Sequence, residues 1–459
     1  GRPLGSNTAT YAYLRLPMIL ATGIVLGGLA PVLHLVSTPT QYAVFWVFML
    51  LPVLWTPQTV YTSLWVARGD SIRAQYPQLI ETVVRTTGIV LVALVIPMIE
   101  GPGFLDQILV SPSFSAKVAS DVLLGLTGAY VAGAAAATAY CVPSVARQIG
   151  RFDRAQAGQY FLFAWPLMGS LLLQFLAGNS IPFIITATLT PAAASLTWFL
   201  AANGFRLLLM GVPNAIVLPL FPNLAGLHAR GDLEAVRART WAALRYTALL
   251  VLPGAVALTV YRANFLNVLF NQSIAIHASF PLAILAVSAV PASLTLVIQV
   301  ALNAIGQQRL ELYLTSTQVG SLYVGALVLM PVSATFLGYP VGGLDGAAYA
   351  VLVSSAAALG LNTYFLWSRL QIVLRLRPIL LIAFASIVTF VAVGQLNHFV
   401  NPNRWYLLLV LVVFGYVVYS LFLAVVGELT RRDVRILAGA LQLPARLIEA
   451  LARFCWRES

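Results

Sequence analysis

The chain has 459 residues, of which 60% are hydrophobic and only 9% are charged, with a mean hydropathy of +0.89. Soluble globular domains carry about 25% charged residues, so this composition excludes a soluble protein and indicates a polytopic membrane protein. The net charge of +12 comes almost entirely from arginine. In a membrane chain that excess predicts basic cytoplasmic loops and contact with anionic lipids rather than nucleic-acid binding.

Apolar segments long enough to cross a bilayer recur along the whole chain, with short connections between them. We predict about twelve transmembrane helices, at residues 11–36, 42–67, 80–99, 121–146, 160–187, 194–225, 241–262, 279–305, 311–336, 345–367, 378–399 and 404–427. No connection is long enough to form a soluble domain.

Basic residues are divided unequally between the two sets of loops. One set, together with both termini, holds 22 of the 26 lysine and arginine residues, and the other set holds only Lys117, Arg262 and Arg404. This asymmetry places the N- and C-termini in the cytoplasm and predicts a multi-pass protein of the cytoplasmic membrane. The tail at 429–459 is basic and amphipathic, and we expect it to lie on the cytoplasmic headgroups.

Two stretches of the chain resemble each other weakly. "TYAYLRLPMIL" (10–20) is similar to "TWAALRYTALL" (240–250). This similarity predicts a duplicated bundle, an arrangement that many transporters use with the substrate site between the halves. Under this repeat the first half lacks its first two helices, so we expect an N-terminal truncation; the alternative is a natural twelve-span protein.

Residue types that carry catalysis or bind metals show no suitable spacing. Cys141 and Cys455 lie far apart, and the four histidines are scattered, so we expect no cofactor, no metal and no catalytic residue. The outer loop at 99–120 contains only Glu100 and Asp106 as acidic residues, which disfavours a membrane polymerase or glycosyltransferase. No carboxylate lies at mid-span, which disfavours an ion-coupled drug exporter.

Four stretches, taken in order, resemble one known superfamily. They are "GFRLLLMGVPNAIVLPLFPNLAGLHARGD" with the basic helix that follows it (204–258), "NFLNVLFNQS" (264–273), "VALNAIGQQRLEL" (300–312) and "GGLDGAAYAVLVSS" (342–355). Together they resemble the multidrug/oligosaccharidyl-lipid/polysaccharide flippase superfamily over about residues 40–440. The nearest branch is that of polysaccharide and lipid-linked oligosaccharide flippases, which includes the O-antigen and lipid II types.

The resemblance implies an all-α polytopic fold with two pseudo-symmetric lobes around a central cavity. Members often carry two extra C-terminal helices, so this chain resembles a fourteen-helix member that lacks its first two helices. We expect an N-terminal lobe of four spans, a C-terminal lobe of six spans, two additional spans and a cytoplasmic tail. The corresponding boundaries are 1–155, 156–370, 371–428 and 429–459.

The span at 194–225 combines an arginine with three prolines. Arg206 falls near mid-depth, where a charge is costly unless it faces water or a partner, and the alternative is an arginine that snorkels to one interface. Pro213, Pro219 and Pro222 disfavour a straight helix and predict a broken segment that lines a cavity. The family resemblance implies that Arg206 contacts the diphosphate of the substrate.

Other candidate binding residues are amides within spans and arginines near inner span ends. They are Asn203, Asn214, Gln174, Gln299, Asn303, Arg15, Arg85 and Arg245. The alternative for each amide is an interhelical hydrogen bond, and the alternative for each arginine is a role in topology alone.

These observations favour a transporter, not an enzyme. We predict that it moves an anionic lipid-linked oligosaccharide, a polyprenyl-diphosphate glycan, across the membrane by alternating access, for cell-surface polysaccharide or cell-wall synthesis. We expect a monomer and leave open whether H⁺ or Na⁺ is the coupling ion. The alternatives are a multidrug/cation antiporter of the same superfamily and, less favoured, a membrane polymerase or glycosyltransferase.

Overall fold

The structure is a computed structural model. It describes residues 39–68, 70–100, 112–147, 158, 165–166, 169–170, 172–174, 181–182, 184–189, 192–270, 272–331, 335–336, 339–340, 342–373, 376–398 and 404–428. The predicted first span at 11–36, Arg15 and the basic tail at 429–459 lie outside the described residues, as does most of the span at 160–187.

The described residues are almost entirely helical. The helices are α1 (Pro39–Ala67), α2 (Ser71–Glu100), α3 (Pro112–Ala146), α4 (Ala192–Ala229), α5 (Leu233–Val260), α6 (Arg262–Leu269), α7 (Gln272–Ala304), α8 (Gln308–Leu329), α9 (Gly343–Leu370), α10 (Leu376–Gly394) and α11 (Trp405–Val426). Within the described part of the chain, nine of these helices are long and apolar enough to cross a membrane; α2 and α6 are not among the nine. The all-α polytopic fold is therefore confirmed, whereas the total number of helices stays a prediction.

Several helices extend beyond the apolar segment that predicted them. The span predicted at 80–99 belongs to a helix that begins at Ser71, because the polar turn before the apolar run is also helical. Asp70 ends the preceding loop, and its Oδ1 accepts a hydrogen bond from the Arg73 backbone N–H at 3.0 Å, as a helix N-cap does. Hydropathy detects only the part of such a helix that is apolar.

The end predicted for the ninth span, at residue 336, is wrong. Helix α8 ends at Leu329, and Pro331 follows soon after, where a helix cannot readily continue. Residues Thr335–Phe336 and Tyr339–Pro340 instead form a short antiparallel pair, β1 and β2.

Two turns between helices use glycine in the left-handed region. Gly231 has φ +76° between α4 and α5, and Gly306 has φ +84° between α7 and α8. Asp232 then caps α5, because its Oδ1 accepts from the Ala235 backbone N–H at 3.0 Å. The Gly-Asp and Asn-Ala-x-Gly motifs that carry the family resemblance are thus turns that reverse the chain between helices.

The chain divides into two compact units, residues 1–164 and 165–459. In the first unit α3 packs against α1 and α2. The approach of α2 and α3 is close, because a Cβ at Gly133 would stand 2.8 Å from a backbone oxygen of α2, and a Cβ at Gly88 or Gly125 would also clash. Small residues at a helix interface permit such an approach in membrane proteins.

The second unit is built around α7, which packs against α4, α5, α6 and α9. Leu282, Leu285, Ile298 and Leu302 are fully buried along its length. A helix that is apolar on all sides is expected at the centre of a bundle, and α7 has that character. Helices α10 and α11 pack against each other and against α5. The four predicted domain boundaries stay predictions.

Candidate functional site

Helix α4 carries the principal candidate, Arg206. The helix runs from Ala192 to Ala229 without interruption and includes Pro213, Pro219 and Pro222. The broken segment expected from the three prolines is therefore not observed. Each proline removes one backbone donor, but the neighbouring turns keep their hydrogen bonds, so the helix continues. A role for these prolines in shaping the helix stays a prediction.

Two contacts with α7 fix the depth of Arg206 within its unit. The ring of Trp198 stacks on that of His277, with centroids 4.0 Å apart, and Ser293 Oγ donates to Met210 Sδ at 3.4 Å. The two helices are therefore parallel, and Arg206 lies level with about residues 285–289 of α7. The midpoint of α7 falls within that range, so Arg206 is close to the middle of a membrane-spanning helix.

The guanidinium of Arg206 has one polar contact among the described residues. Its Nη1 donates to Asn203 Oδ1 at 3.4 Å, across one turn of α4. Its Nε is buried and has no hydrogen-bond partner within the described protein. The ion pairs of the described residues, Arg73–Asp70 and Arg85–Glu81, do not include Arg206. Asn203 and Arg206 are three positions apart, so the helix brings their side chains onto neighbouring parts of one face.

Apolar packing holds one side of this arginine. The neighbouring Phe205 is buried in a core cluster formed by α4, α7, α8 and α9, and its ring lies edge-on to that of Phe265 in α6, at 5.7 Å. Leu207 and Leu208 on the following positions are exposed. The guanidinium therefore lies at the border between the packed core of the second unit and the exposed face of α4.

Gln299 and Asn303 do not join Arg206. Both lie on α7, at least roughly 15 Å further along the helix axis than the level of Arg206. Asn303 Nδ2 donates to Glu311 Oε2 across the turn between α7 and α8. Gln299 is buried one turn away, and its Nε2 has no partner within the described protein. Asn303 thus forms a polar contact between α7 and α8, whereas a binding role for either amide stays a prediction.

Glu311 itself was missed as a buried residue. The predicted ninth span begins at this residue, yet its side chain is only 8% exposed and accepts a hydrogen bond from Asn303 Nδ2. The sequence does contain a signal for this contact. Asn303 and Glu311 flank Gly306 at similar separations along the chain, and a turn at Gly306 brings the two side chains opposite each other.

The remaining candidates are dispersed. Asn214 and Gln174 are exposed. Arg85 forms an ion pair with Glu81 at 3.5 Å, and its guanidinium lies 5.0 Å from the centre of the Tyr130 ring. Arg245 Nη2 donates to the Glu428 carbonyl just beyond α11. Both arginines therefore have structural partners within their own units.

The pair of Arg206 and Asn203 is the arrangement best suited to bind an anion. It offers a fixed positive charge and several N–H donors in a region where water is scarce, and guanidinium matches the geometry of phosphate or carboxylate. Among the described residues, no group of three histidine, cysteine or acidic side chains could hold a metal ion. The geometry of Arg206 and Asn203 thus supports anion recognition.

Comparison with known proteins gives matches in both sequence and structure. A sequence profile of the family described as "Polysaccharide biosynthesis protein" matches residues 125–275, a stretch that includes Arg206. A search of curated proteins finds no significant sequence match. Among solved structures, the chain is similar to "Lipid II flippase MurJ, inward closed conformation", with 12% identity and a TM-score of 0.62, over 95% of this chain and 84% of that chain.

At this level of identity the structural match concerns the fold alone. The family match adds an independent observation from the sequence of α3, α4 and α5. The chain is thus similar in fold to a lipid II flippase, and residues 125–275, about a third of its length, match the polysaccharide biosynthesis family.

Proposed function

We propose that the protein is a flippase that moves an anionic lipid-linked oligosaccharide, a polyprenyl-diphosphate glycan, across the cytoplasmic membrane. The observation that carries this proposal is Arg206. Its guanidinium lies level with the middle of α7, and its Nε is buried without an acceptor in the described protein. A cation at such a depth needs an anionic or hydrated partner. A diphosphate supplies that partner through parallel charge-assisted hydrogen bonds.

The comparisons support the class of cargo. A solved structure with a similar fold is a flippase of lipid II, and the matched family is named for polysaccharide biosynthesis. The matched stretch contains Arg206, on which the proposal depends. The identity of the sugar residues is left open.

The mechanism requires no covalent chemistry. The polyprenyl tail stays in the lipid while the polar head crosses, and the largest electrostatic cost falls on the diphosphate near mid-depth. Arg206 lowers that cost where it is greatest, and Asn203 orients the guanidinium by accepting from Nη1. We propose that two lobes alternate access around this position in a monomer. Whether an ion such as H⁺ or Na⁺ drives this cycle is left open.

The test follows a fluorescent polyprenyl-diphosphate sugar in liposomes that contain the purified protein. We expect protein-dependent translocation, with a loss of about tenfold to a hundredfold in apparent affinity for Arg206→Ala, because a charge-assisted contact is removed. Arg206→Lys should retain part of the activity, since it keeps the charge but not the paired donors. Arg239→Ala is the matched control, because Arg239 is an exposed arginine of α5.

Two results would contradict the proposal in different ways. If Arg206→Ala translocates the glycan lipid as well as the unchanged protein does, the protein is still a flippase but Arg206 is not part of its binding site. Export of a cationic dye without movement of the glycan lipid would instead assign the protein to the drug and cation antiporters of the superfamily.

A further inference from the structure

Among the buried polar residues that the structure describes, Glu311 is the one with an ionisable carboxyl group. It lies in the first turn of α8, within a helix long and apolar enough to cross a membrane. The ion pairs of the described residues do not include it, and Arg309, the nearest basic residue along the chain, is exposed. A charge inside a membrane segment is costly, so such a residue usually marks a binding site or an ion path.

Two oxygen atoms beside Glu311 have no hydrogen-bond partner within the described protein. Asn303 Nδ2 donates to Glu311 Oε2, but Oδ1 of the same amide is buried and unpartnered. Thr315 lies one turn after Glu311 on the same face of α8, and its Oγ1 is fully buried without a partner. Helical side chains lean towards the N-terminus of their helix, so the Thr315 hydroxyl leans towards Glu311. A carboxylate, an amide oxygen and a hydroxyl oxygen therefore meet beside the turn between α7 and α8.

A hydrogen bond between helices accounts for only part of this arrangement. It satisfies Glu311 Oε2, whereas the negative charge, Asn303 Oδ1 and Thr315 Oγ1 lack partners in the described protein. The helix dipoles do not supply the missing positive charge, because the negative end of α7 and the positive end of α8 meet at this turn and offset each other. A buried charge and buried unpaired oxygens are each costly. One small cation would satisfy all three groups.

We propose that Glu311, Asn303 and Thr315 bind a monovalent metal cation of the Na⁺ type between α7 and α8. Carboxylate, amide and hydroxyl oxygens are suitable ligands for a hard cation. A single carboxylate neutralises a monovalent ion, whereas a divalent ion would leave an excess positive charge in a buried position. The exposed turn at Gly306 lies next to the site and gives an ion access from water. This site gives the open question of ion coupling a defined position in the molecule.

Equilibrium binding of radioactive Na⁺ to the purified full chain tests this site. We expect saturable binding of one Na⁺ per chain. Because an ion that binds the folded state stabilises it, NaCl should also raise the melting temperature relative to an equal concentration of choline chloride. The expected rise is about 2–4 °C when Na⁺ is present at about tenfold its dissociation constant.

Two variants and two matched controls assign the binding to these ligands. Glu311→Gln keeps an acceptor for Asn303 but removes the charge, so the affinity for Na⁺ should fall by about tenfold to a hundredfold. Thr315→Val removes one ligand and should weaken Na⁺ binding by about tenfold. In sodium-free buffer this variant should melt no lower than the unchanged protein, because valine leaves no hydroxyl unsatisfied. Glu234→Gln in the first turn of α5 and Thr317→Val in α8 are the controls, since both residues are exposed, and both variants should bind Na⁺ normally.

Three outcomes would overturn the proposal. No saturable binding of Na⁺ by the unchanged protein would leave Glu311 and Asn303 as a hydrogen-bonded contact between helices. Binding that persists unchanged in both Glu311→Gln and Thr315→Val would place the cation elsewhere. An equal rise of the melting temperature with choline chloride would show an effect of ionic strength alone. These measurements do not use the proposed cargo, so a negative result would leave the proposed function unaffected.

Discussion

The arginine side chains of this protein differ in their hydrogen-bond partners, and these partners indicate different roles. Arg237 Nε donates to the Leu370 carbonyl at 2.7 Å, at the C-terminal end of α9. Arg245 donates to the Glu428 carbonyl beyond α11. The last carbonyls of a helix lack partners within the helix, so these two arginines of α5 stabilise the ends of two other helices. Arg206, by contrast, has only the amide of Asn203 among the described residues.

Arg245 provides the first prediction. We expect Arg245→Gln to lower the free energy of unfolding by about 1.5–3 kcal/mol, because a charge-assisted hydrogen bond is lost. Translocation by the protein that remains folded should be unchanged. The melting temperature in detergent and the liposome assay measure these two effects separately.

The matched control is Arg239→Gln, an exposed position on the same helix, which should leave the melting temperature unchanged. If Arg245→Gln instead lowers the affinity for the cargo and leaves the stability unchanged, Arg245 contacts the cargo.

At the scale of single residues, the sequence predicts local partners better than distant ones. The contact between Asn203 and Arg206 follows from their spacing of three in a helix. The partner of Arg245 lies 183 positions along the chain, and no periodicity in the sequence relates the two. The burial of Glu311 was not predicted either, because it depends on how α7 and α8 pack against each other at their turn.

At the scale of elements, long apolar runs predicted the described spans well, because the bilayer dictates their minimum length. The ends of the helices were predicted less well. Helix α2 begins at Ser71, before its apolar segment, and helix α8 ends at Leu329, before the predicted residue 336. Three prolines in α4 were expected to break it, but the helix is continuous. Proline changes local hydrogen bonding, whereas packing against α5 and α7 decides whether the element persists.

The close approach of α2 and α3 gives the second prediction. A Cβ at Gly133 would stand 2.8 Å from the Glu81 carbonyl oxygen, which is backbone and cannot rotate away. We expect Gly133→Ala to lower the free energy of unfolding by about 1–3 kcal/mol through overpacking. Thermal unfolding in detergent measures the effect. Gly128→Ala in the same helix is the control, because no atom lies within 4 Å of its Cβ position, and an equal loss in both variants would refute the explanation.

Thr315 of α8 gives the third prediction. Its side chain is fully buried, and Oγ1 has no hydrogen-bond partner within the described protein. Valine has the same shape without the hydroxyl, so Thr315→Val should keep or raise the melting temperature in sodium-free buffer. Thr317→Val is the comparison, because the exposed Thr317 hydroxyl donates to the Tyr313 carbonyl at 3.0 Å. Clear destabilisation by Thr315→Val alone would show that the hydroxyl binds something in the membrane-embedded protein.

At the scale of the whole molecule, composition alone was sufficient to predict an all-helical polytopic membrane protein, and the order of the motifs pointed to the fold that the solved flippase structure shares. The internal repeat and the division into lobes depend on relations between distant parts of the chain, so they stay predictions. The direction in which the chain crosses the membrane also stays a prediction, and it rests on the 22 basic residues assigned to one side against three on the other.

Orientation is therefore the last prediction. Arg230 in the turn between α4 and α5 and Arg404 before α11 are both exposed and belong to opposite sets of loops. In a variant whose native cysteines are replaced by serine, we expect a membrane-impermeant maleimide to label Arg404→Cys in intact cells. It should label Arg230→Cys only after the membrane is permeabilised, because basic loops are retained in the cytoplasm during insertion. Labelling of Arg230→Cys in intact cells would invert the topology.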